Sequence, residues 1–200
     1  VVSTPETNPH QAALFGKVWL RGTRFATEET IEAGFDQGIF VDLLPYDALS
    51  SDAATAAKQR RDCRFWQSVS YLSHAKSIVV PHKGALGAIE RMACSAAHLV
   101  ARGLYPHEKV TARFNKAATC GNDPALASDD LVVMAYATYE PYARSMMLPT
   151  STVTFEGCEF PAPADPEAFL HQLYGEWRKL PPVEARRNHA PVELDFGPYA

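Results

Sequence analysis

The sequence predicts one domain of the α/β class, spanning residues 1–200, with a mixed sheet flanked by helices. An apolar strand pattern lies near residue 40, and segments with helical spacing fill the middle of the chain. A hairpin pattern and a capped helix follow residue 150. The hydrophobic content of 46%, with no polar low-complexity tract, favours a single compact unit at this length.

The net charge and the hydropathy of the chain limit the partners and the location that we expect. A formal net charge of −4 gives no electrostatic reason to expect nucleic acid, because proteins that bind it usually carry a basic face. The longest apolar runs are broken before the roughly 20 residues that cross a bilayer, and the start lacks the pattern of a signal peptide. We therefore expect a cytoplasmic protein. Its four cysteines form no Cys-x-x-Cys pair, so we expect free thiols rather than a zinc site or a disulfide framework.

The first predicted elements are strands. Lys17–Leu20 has a strand-like composition, and Gly22 predicts a tight turn before a second strand that starts at Arg24. In the run Ile39–Leu44 both faces are apolar except at Asp42, which predicts a central strand covered on both sides. A carboxylate in such a strand is costly unless it is paired, hydrogen-bonded or bound to a metal.

Two carboxylates lie on or just after this strand. Pro45 cannot donate to a sheet ladder, so the strand should end near Leu44 and Asp47 should lie on the loop beyond it. Spacing alone favours a structural role, in which Asp42 caps the strand end and Asp47 belongs to a solvated turn. The alternative is that Asp42 faces a divalent cation that bridges diphosphate oxygens.

The middle of the chain predicts three helices. The first runs from a cap within Ser50-Ser-Asp52 to about residue 75, the second from about 85 to 101, and the third from Pro106 to near Gly121. Helical spacing predicts that the inward face of the second helix carries Leu86, Ile89, Ala93, Ala96 and Val100.

The C-terminal part predicts strands and one further helix. Residues 131–136 form a short buried strand in our interpretation, although periodicity does not distinguish it from a helix. A hairpin is predicted from 152 to 160 around Glu156-Gly157. Asp165 then caps a helix that ends near Gly175.

Two stretches of the chain carry recognisable motifs. One is Gly38-Ile-Phe-Val-Asp-Leu-Leu-Pro-Tyr-Asp47. The other runs from the hairpin through Leu173-Tyr-Gly-Glu-Trp177 to Leu180-Pro-Pro-Val-Glu-Ala-Arg-Arg-Asn-His189. Together they resemble the LicD family, bacterial relatives of fukutin that transfer phosphocholine or similar phospho-alcohols from a cytidine diphosphate carrier. The resemblance implies a nucleotidyltransferase-like fold.

The resemblance also implies a reaction and a catalytic carboxylate. A hydroxyl of a lipopolysaccharide glycan or a teichoic acid precursor would attack the phosphorus that bears choline in CDP-choline, releasing CMP. Asp42 matches the family's third carboxylate, which makes it the expected catalytic residue and a ligand of Mg²⁺ or Mn²⁺. Asp47 is its neighbour in the same motif and is expected to help bind the donor.

Basic residues supply the remaining expected contacts to the donor. Lys17, Arg21 and Arg24 lie in a stretch similar to a basic motif of the family, and arginine can bind a diphosphate through two contacts at once. A solvated edge hairpin is the alternative for this cluster. His189 lies where the family tail carries a histidine, and it would either contact the nucleotide or acceptor or close the tail by hydrogen bonding.

One departure from the family leaves two functions open. No Asp-x-Asp pair occurs anywhere in the chain, so the first carboxylate motif of the family is absent and the domain is expected to be incomplete at its N-terminal side. The chain is then either part of a phosphocholine transferase or a non-catalytic remnant or binding subunit of one. An incomplete domain would expose apolar sheet surface, which predicts homo-oligomers. The acceptor would bring the protein to the inner face of the membrane.

Overall fold

Helices and small antiparallel sheets make up the protein in a computed structural model, which describes residues 1–75, 82–186 and 191–200. The predicted mixture of α and β structure is therefore confirmed. The strands within these ranges are β1 Val2–Ser3, β2 Gly16–Trp19, β3 Arg24–Ala26, β4 Phe40–Leu43, β5 Asp47–Ser50, β6 Ala127–Val132, β7 Tyr142–Ala143, β8 Ser151–Phe155, β9 Cys158–Ala162 and β10 Glu193–Asp195. The α-helices are α1 Glu28–Ala33, α2 Ala53–His74, α3 Gly84–Leu104, α4 His107–Ala118, α5 Arg144–Met147 and α6 Pro166–Tyr174.

The strands pair in four separate small sheets instead of the single mixed sheet that we expected. Their orders are β1-β2-β4, β3-β10, β5-β6-β7 and β8-β9, and every pairing among the described strands is antiparallel. The prediction that residues 39–44 form a central strand is wrong. β4 lies at the edge of its sheet, and Val41 is 67% exposed. Phe40 and Asp42 point to the less exposed side, because alternate residues of a strand face opposite ways.

The core forms around α2, which packs against α4, α3 and β5. The predicted cap is present, since an oxygen of Asp52 accepts a hydrogen bond from the backbone N–H of Thr55 at 2.8 Å. Apolar side chains from α4 and from the end of β6 meet Cys63 of α2 in one buried cluster. All four cysteines are free thiols.

A buried amide joins three elements of this core. Gln59 on α2 donates from Nε2 to the backbone oxygens of Ala48 at 3.0 Å and Ala118 at 2.8 Å. Its Oε1 accepts from the N–H of Ser50 at 3.2 Å. Because Gln59 is 2% exposed, none of these groups can rely on bulk water instead.

The second predicted helix is present as α3, but its expected orientation is wrong. Small and polar residues face the protein, including buried Gly87 and Ala101, and His98 Nδ1 lies 2.7 Å from the backbone oxygen of Leu72. A Cβ at position 87 would lie only 2.2 Å from the backbone oxygen of His82, so the inward face has no room for larger residues there. The residues expected to point inward are all exposed: Leu86, Ile89, Ala93, Ala96 and Val100.

The C-terminal elements agree with the prediction more closely. Glu156 and Gly157 both have positive φ, 49° and 78°, as a two-residue turn between β8 and β9 requires. Asp165 caps α6 by accepting from the N–H of Ala168 at 3.0 Å. The strand predicted at 131–136 is displaced, because β6 ends at Val132 and residues 134–136 form a 3-10 turn. None of the described helices combines the length and hydropathy that crossing a bilayer requires.

Candidate functional site

A cavity of about 490 Å³ lies beside the sheet β1-β2-β4. Its walls come from residues 10–15, β2, β4, α1 and the end of α2. Small-molecule sites typically occupy about 300–1,000 Å³ and have mostly apolar walls with a few polar groups. The aromatic side chains of this cavity are Phe15, Phe25, Phe35, Phe40, Tyr71 and Tyr136.

Lys17 and Asp42 form an ion pair in the wall of the cavity. They lie directly opposite each other on β2 and β4, and Lys17 Nζ donates to Asp42 Oδ1 at 2.8 Å. The side chain of Lys17 is 10% exposed and that of Asp42 is 29% exposed, so the pair is largely shielded from water. Shielding strengthens the attraction between the two charges, but it also makes each charge costly without the other.

Aromatic rings surround the ammonium group of Lys17. Its Nζ lies 3.7 Å from the centre of the Phe40 ring and 5.4 Å from that of Phe15. Phe25 packs edge-on against Phe40, with 5.3 Å between the ring centres. The faces of such rings carry partial negative charge, so this wall favours cations.

Buried amides hold the cavity wall and leave one oxygen unpaired. Gln11 is fully buried and donates from Nε2 to the backbone oxygens of Ala13 at 3.1 Å and Phe15 at 2.5 Å. Gln37 also lines the cavity, and its buried Oε1 has no hydrogen-bond partner within the described part of the chain. A buried amide oxygen without a donor is a point where a bound molecule or water would gain a hydrogen bond.

Two tyrosines lie beside the ion pair. Burial raises the pKa of Tyr71 to about 12, with further contributions from Tyr136, Asp42 and Glu29. Burial and then the charge of Asp42 raise the pKa of Tyr136 as well. Both phenols are therefore neutral at physiological pH and can donate hydrogen bonds into the cavity.

Asp47 has a different position from the one predicted. It lies on β5 rather than on a solvated loop, it is buried, and it does not line the cavity. Asn122 Nδ2 donates to Asp47 Oδ1 at 2.7 Å, while Asn122 Oδ1 accepts from the N–H of Ala48 at 2.8 Å. These contacts tie β5 to the turn after α4, which indicates a structural role.

The other basic candidates do not join this cavity. Arg24 donates to the carboxylates of Asp36, at 2.6 Å, and Glu193, so it links β3 to β10. Arg21 is exposed in the turn after β2. His189 lies outside the described residues. Of the expected donor-binding residues that the structure describes, Lys17 alone lies with Asp42 at this cavity.

The donor set near Asp42 does not fit the expected Mg²⁺ or Mn²⁺. Magnesium prefers several oxygen ligands, and the closest partner of Asp42 is the positive ammonium group of Lys17. Within residues 1–75, 82–186 and 191–200, no three His, Cys, Asp or Glu side chains are grouped to hold a metal ion. The metal stays a prediction from the resemblance.

Sequence reasoning missed most of the cavity wall. Period-two alternation pairs Phe15 with Lys17 and Phe40 with Asp42 on shared faces, so it could have indicated two of the aromatic residues. Tyr71, Tyr136 and Gln37 come from distant segments and carry no local signal.

Comparison with protein-family models, with curated proteins and with solved structures finds no match to this chain. The resemblance to the LicD family therefore depends on its motifs alone.

Proposed function

We propose that the chain binds CDP-choline, or a related CDP-alcohol, in the cavity beside Lys17 and Asp42 and takes part in transferring the phospho-alcohol to a glycan or polyol-phosphate hydroxyl. One observation carries the proposal. Lys17, expected to bind the donor, and Asp42, expected to be the catalytic residue, form an ion pair in the wall of one aromatic-lined cavity.

The chemistry of the wall suits a zwitterionic head group. A quaternary ammonium group cannot donate ordinary hydrogen bonds, so proteins hold it against aromatic faces and near a carboxylate. Phe25, Phe35 and Asp42 provide both features here. Lys17 has three N–H donors and gives one to Asp42, so others remain for a phosphate oxygen.

In the proposed reaction, the acceptor oxygen forms a bond to the phosphorus that bears choline, and the bond from that phosphorus to the CMP oxygen breaks. CMP leaves with the electron pair. Asp42 accepts the proton of the attacking hydroxyl, and Lys17 offsets negative charge on the transferring group. Positioning and charge stabilisation supply most of the acceleration in phosphoryl transfer.

The proposal includes three expectations that come from the resemblance. The fold would be a nucleotidyltransferase-like one, the reaction would use Mg²⁺ or Mn²⁺, and the protein would work in the cytoplasm at the inner face of the membrane. Each depends on the family motifs rather than on the cavity.

Calorimetric titration with CDP-choline, with and without Mg²⁺, tests the binding site. We expect Asp42→Asn and Lys17→Met each to weaken binding at least about tenfold, since each removes a charge from the cavity wall. Lys58 and Asp62 form a more exposed ion pair on α2, so Lys58→Met and Asp62→Asn are matched controls that should leave binding unchanged. Absence of binding, or equal loss in both pairs, would contradict the proposal.

A second candidate is a binding subunit with no chemistry of its own. It is favoured by the ion pair itself, because Asp42 is paired with an ammonium group and, among the described residues, is not grouped with further metal-binding side chains. Release of CMP in the presence of a hydroxyl acceptor separates the two candidates. Binding without CMP release would support the binding subunit.

A further inference from the structure

The apolar face of α3 points to solvent. Six large apolar residues on this helix are each at least half exposed: Leu86, Ile89, Met92, Leu99, Val100 and Leu104. Between them lie exposed small residues, namely Ala85, Ala93, Ala96 and Gly103. The opposite face, with Gly87 and Ala101, packs against the protein. A long, contiguous apolar surface of this kind marks an interaction site.

The spacing of these residues indicates that the partner is another helix. Positions 85, 89, 92, 96, 99 and 103 follow alternating steps of four and three, which is the seam of a helix that packs along another helix. Leu86, Ala93 and Val100 extend the seam along one flank. A seam widened on one flank is typical of a helix facing the core of a helical bundle.

We propose that α3 pairs with α3 of a second copy of this chain, in antiparallel orientation about a two-fold axis near residues 93–95. An antiparallel pair places the same flank of both helices together, so the widened apolar flanks cover each other. A parallel pair would instead set this flank against Ala88, Ser95 and Arg102 of the second copy and leave apolar surface exposed.

The two-fold arrangement also matches the sizes of the facing residues. It sets Met92 opposite Ala96 of the second copy and Ala85 opposite Gly103, so small residues admit large neighbours or close approach. Ile89 of each copy then lies opposite Leu99 of the other, which gives two layers of large side chains. The charged residues of α3 are Glu90, Arg91 and Arg102, which lie off the seam, and Glu90 already bonds His82 Nδ1 at 2.6 Å.

The size of the surface predicts how tight the dimer is. Nine seam and flank residues per copy are fewer than the roughly 20–30 per side of a standard interface. The pair therefore belongs to the small, reversible class, with a dissociation constant on the order of 10–100 µM.

A membrane surface fits this face less well than a second copy. Helices that lie on membranes carry many Lys and Arg residues on their polar face, whereas α3 carries two Arg and one Glu. The chain as a whole has a formal charge of −4, which opposes binding to anionic lipids.

Sedimentation velocity over about 1–500 µM tests the dimer, because the proposed dissociation constant lies within that range. Wild type should shift from monomer to dimer as concentration rises. Leu99→Lys should remain monomeric throughout. Leu180→Lys is the matched control, since Leu180 is 74% exposed and Leu99 is 72% exposed, and it should dimerise like wild type. Both substitutions are at exposed positions, so circular dichroism should report an unchanged fold.

Thiol cross-linking tests the orientation. With Cys94, Cys120 and Cys158 replaced by serine, Ala93→Cys should be joined to its copy by a linker that spans about 10 Å. Ala85→Cys should not be joined, because antiparallel helices separate its two copies by about 27 Å along the axis.

Three results would overturn the proposal. They are a monomer at every concentration, a dimer that persists in Leu99→Lys, and efficient cross-linking of Ala85→Cys. A fourth result would come from flotation with anionic phosphatidylserine vesicles. If the protein bound these vesicles without dimerising, and Leu99→Lys abolished that binding, this face would be assigned to a membrane.

Discussion

At the scale of single residues, Tyr71 has the most strongly raised pKa in the cavity, because desolvation of its phenol outweighs the 39% of the residue that stays exposed. Its pKa of about 12 in the folded state lies above the ordinary value near 10, so the folded protein keeps its proton when the unfolded chain has lost it. The resulting stability is fully present below pH 10 and is lost as pH rises towards 12.

Substitution of this tyrosine tests that pH dependence. We expect the free energy of unfolding of Tyr71→Phe, measured by urea denaturation, to fall less between pH 9 and pH 11 than that of wild type. In a pH titration followed by absorbance at 295 nm, Tyr71→Phe should also lack the tyrosinate signal that appears at the highest pH in wild type. A variant whose stability falls as steeply as that of wild type would show that Tyr71 titrates like an exposed phenol.

The sequence pointed to Lys17 and Asp42 as site residues, but it did not predict that they form an ion pair with each other. Both were selected for contacts to a diphosphate or a metal, whereas their first partners are each other across β2 and β4. Strand register decides this pairing, and register depends on segments far apart in the chain. Gln37 and Tyr71 were beyond prediction for the same reason.

At the scale of elements, two glycines should respond to alanine in opposite ways. A Cβ at Gly121, in the 3-10 turn after α4, would lie 2.2 Å from the backbone oxygen of Ala48 on β5. Gly103, near the end of α3, has no neighbouring atom within 4 Å of the same position.

We expect Gly121→Ala to reduce the free energy of unfolding by about 1–3 kcal/mol, because β5 and the turn must separate. Gly103→Ala should leave it unchanged or raise it by up to about 1 kcal/mol, because alanine favours the helix. Chemical denaturation of both variants at low protein concentration gives the comparison. Equal effects at the two positions would mean that β5 and the turn are not in close contact.

The elements that the sequence predicted correctly are those with local signals. The cap at Asp52, the turn at Glu156-Gly157 and the cap at Asp165 each fix an element within a few residues. The orientation of α3 could not be predicted in this way. Which face of a helix turns inward is decided by tertiary packing, here the contact of α3 with α2, and no local pattern in the sequence reports that contact.

At the scale of the whole molecule, Gln59 couples parts of the chain that are far apart in sequence. Replacing it with leucine, of similar volume, would remove its three buried hydrogen bonds to the backbone groups of Ser50, Ala48 and Ala118. Loss of a buried partner costs about 1–3 kcal/mol, so Gln59→Leu should lower the free energy of unfolding by about 3 kcal/mol.

Gln67 provides the matched control on the same helix. Its Oε1 is buried and has no hydrogen-bond partner in the described ranges, so Gln67→Leu removes an unsatisfied group and should be neutral or stabilising. Urea denaturation of the two variants measures the difference. Similar losses at both positions would mean that the three bonds of Gln59 contribute no more than the volume of the side chain.

The pairing of β3 with β10 has a consequence during synthesis. The ion pair from Arg24 to Glu193 closes a loop of 169 residues. A ribosome that adds about 5–20 residues each second therefore leaves the edge of β3 uncovered for roughly 10–30 s after the strand emerges. Throughout that interval the nascent chain has unpaired backbone groups along this edge of β3. Chaperones that bind extended segments therefore have a long time in which to bind residues 24–26.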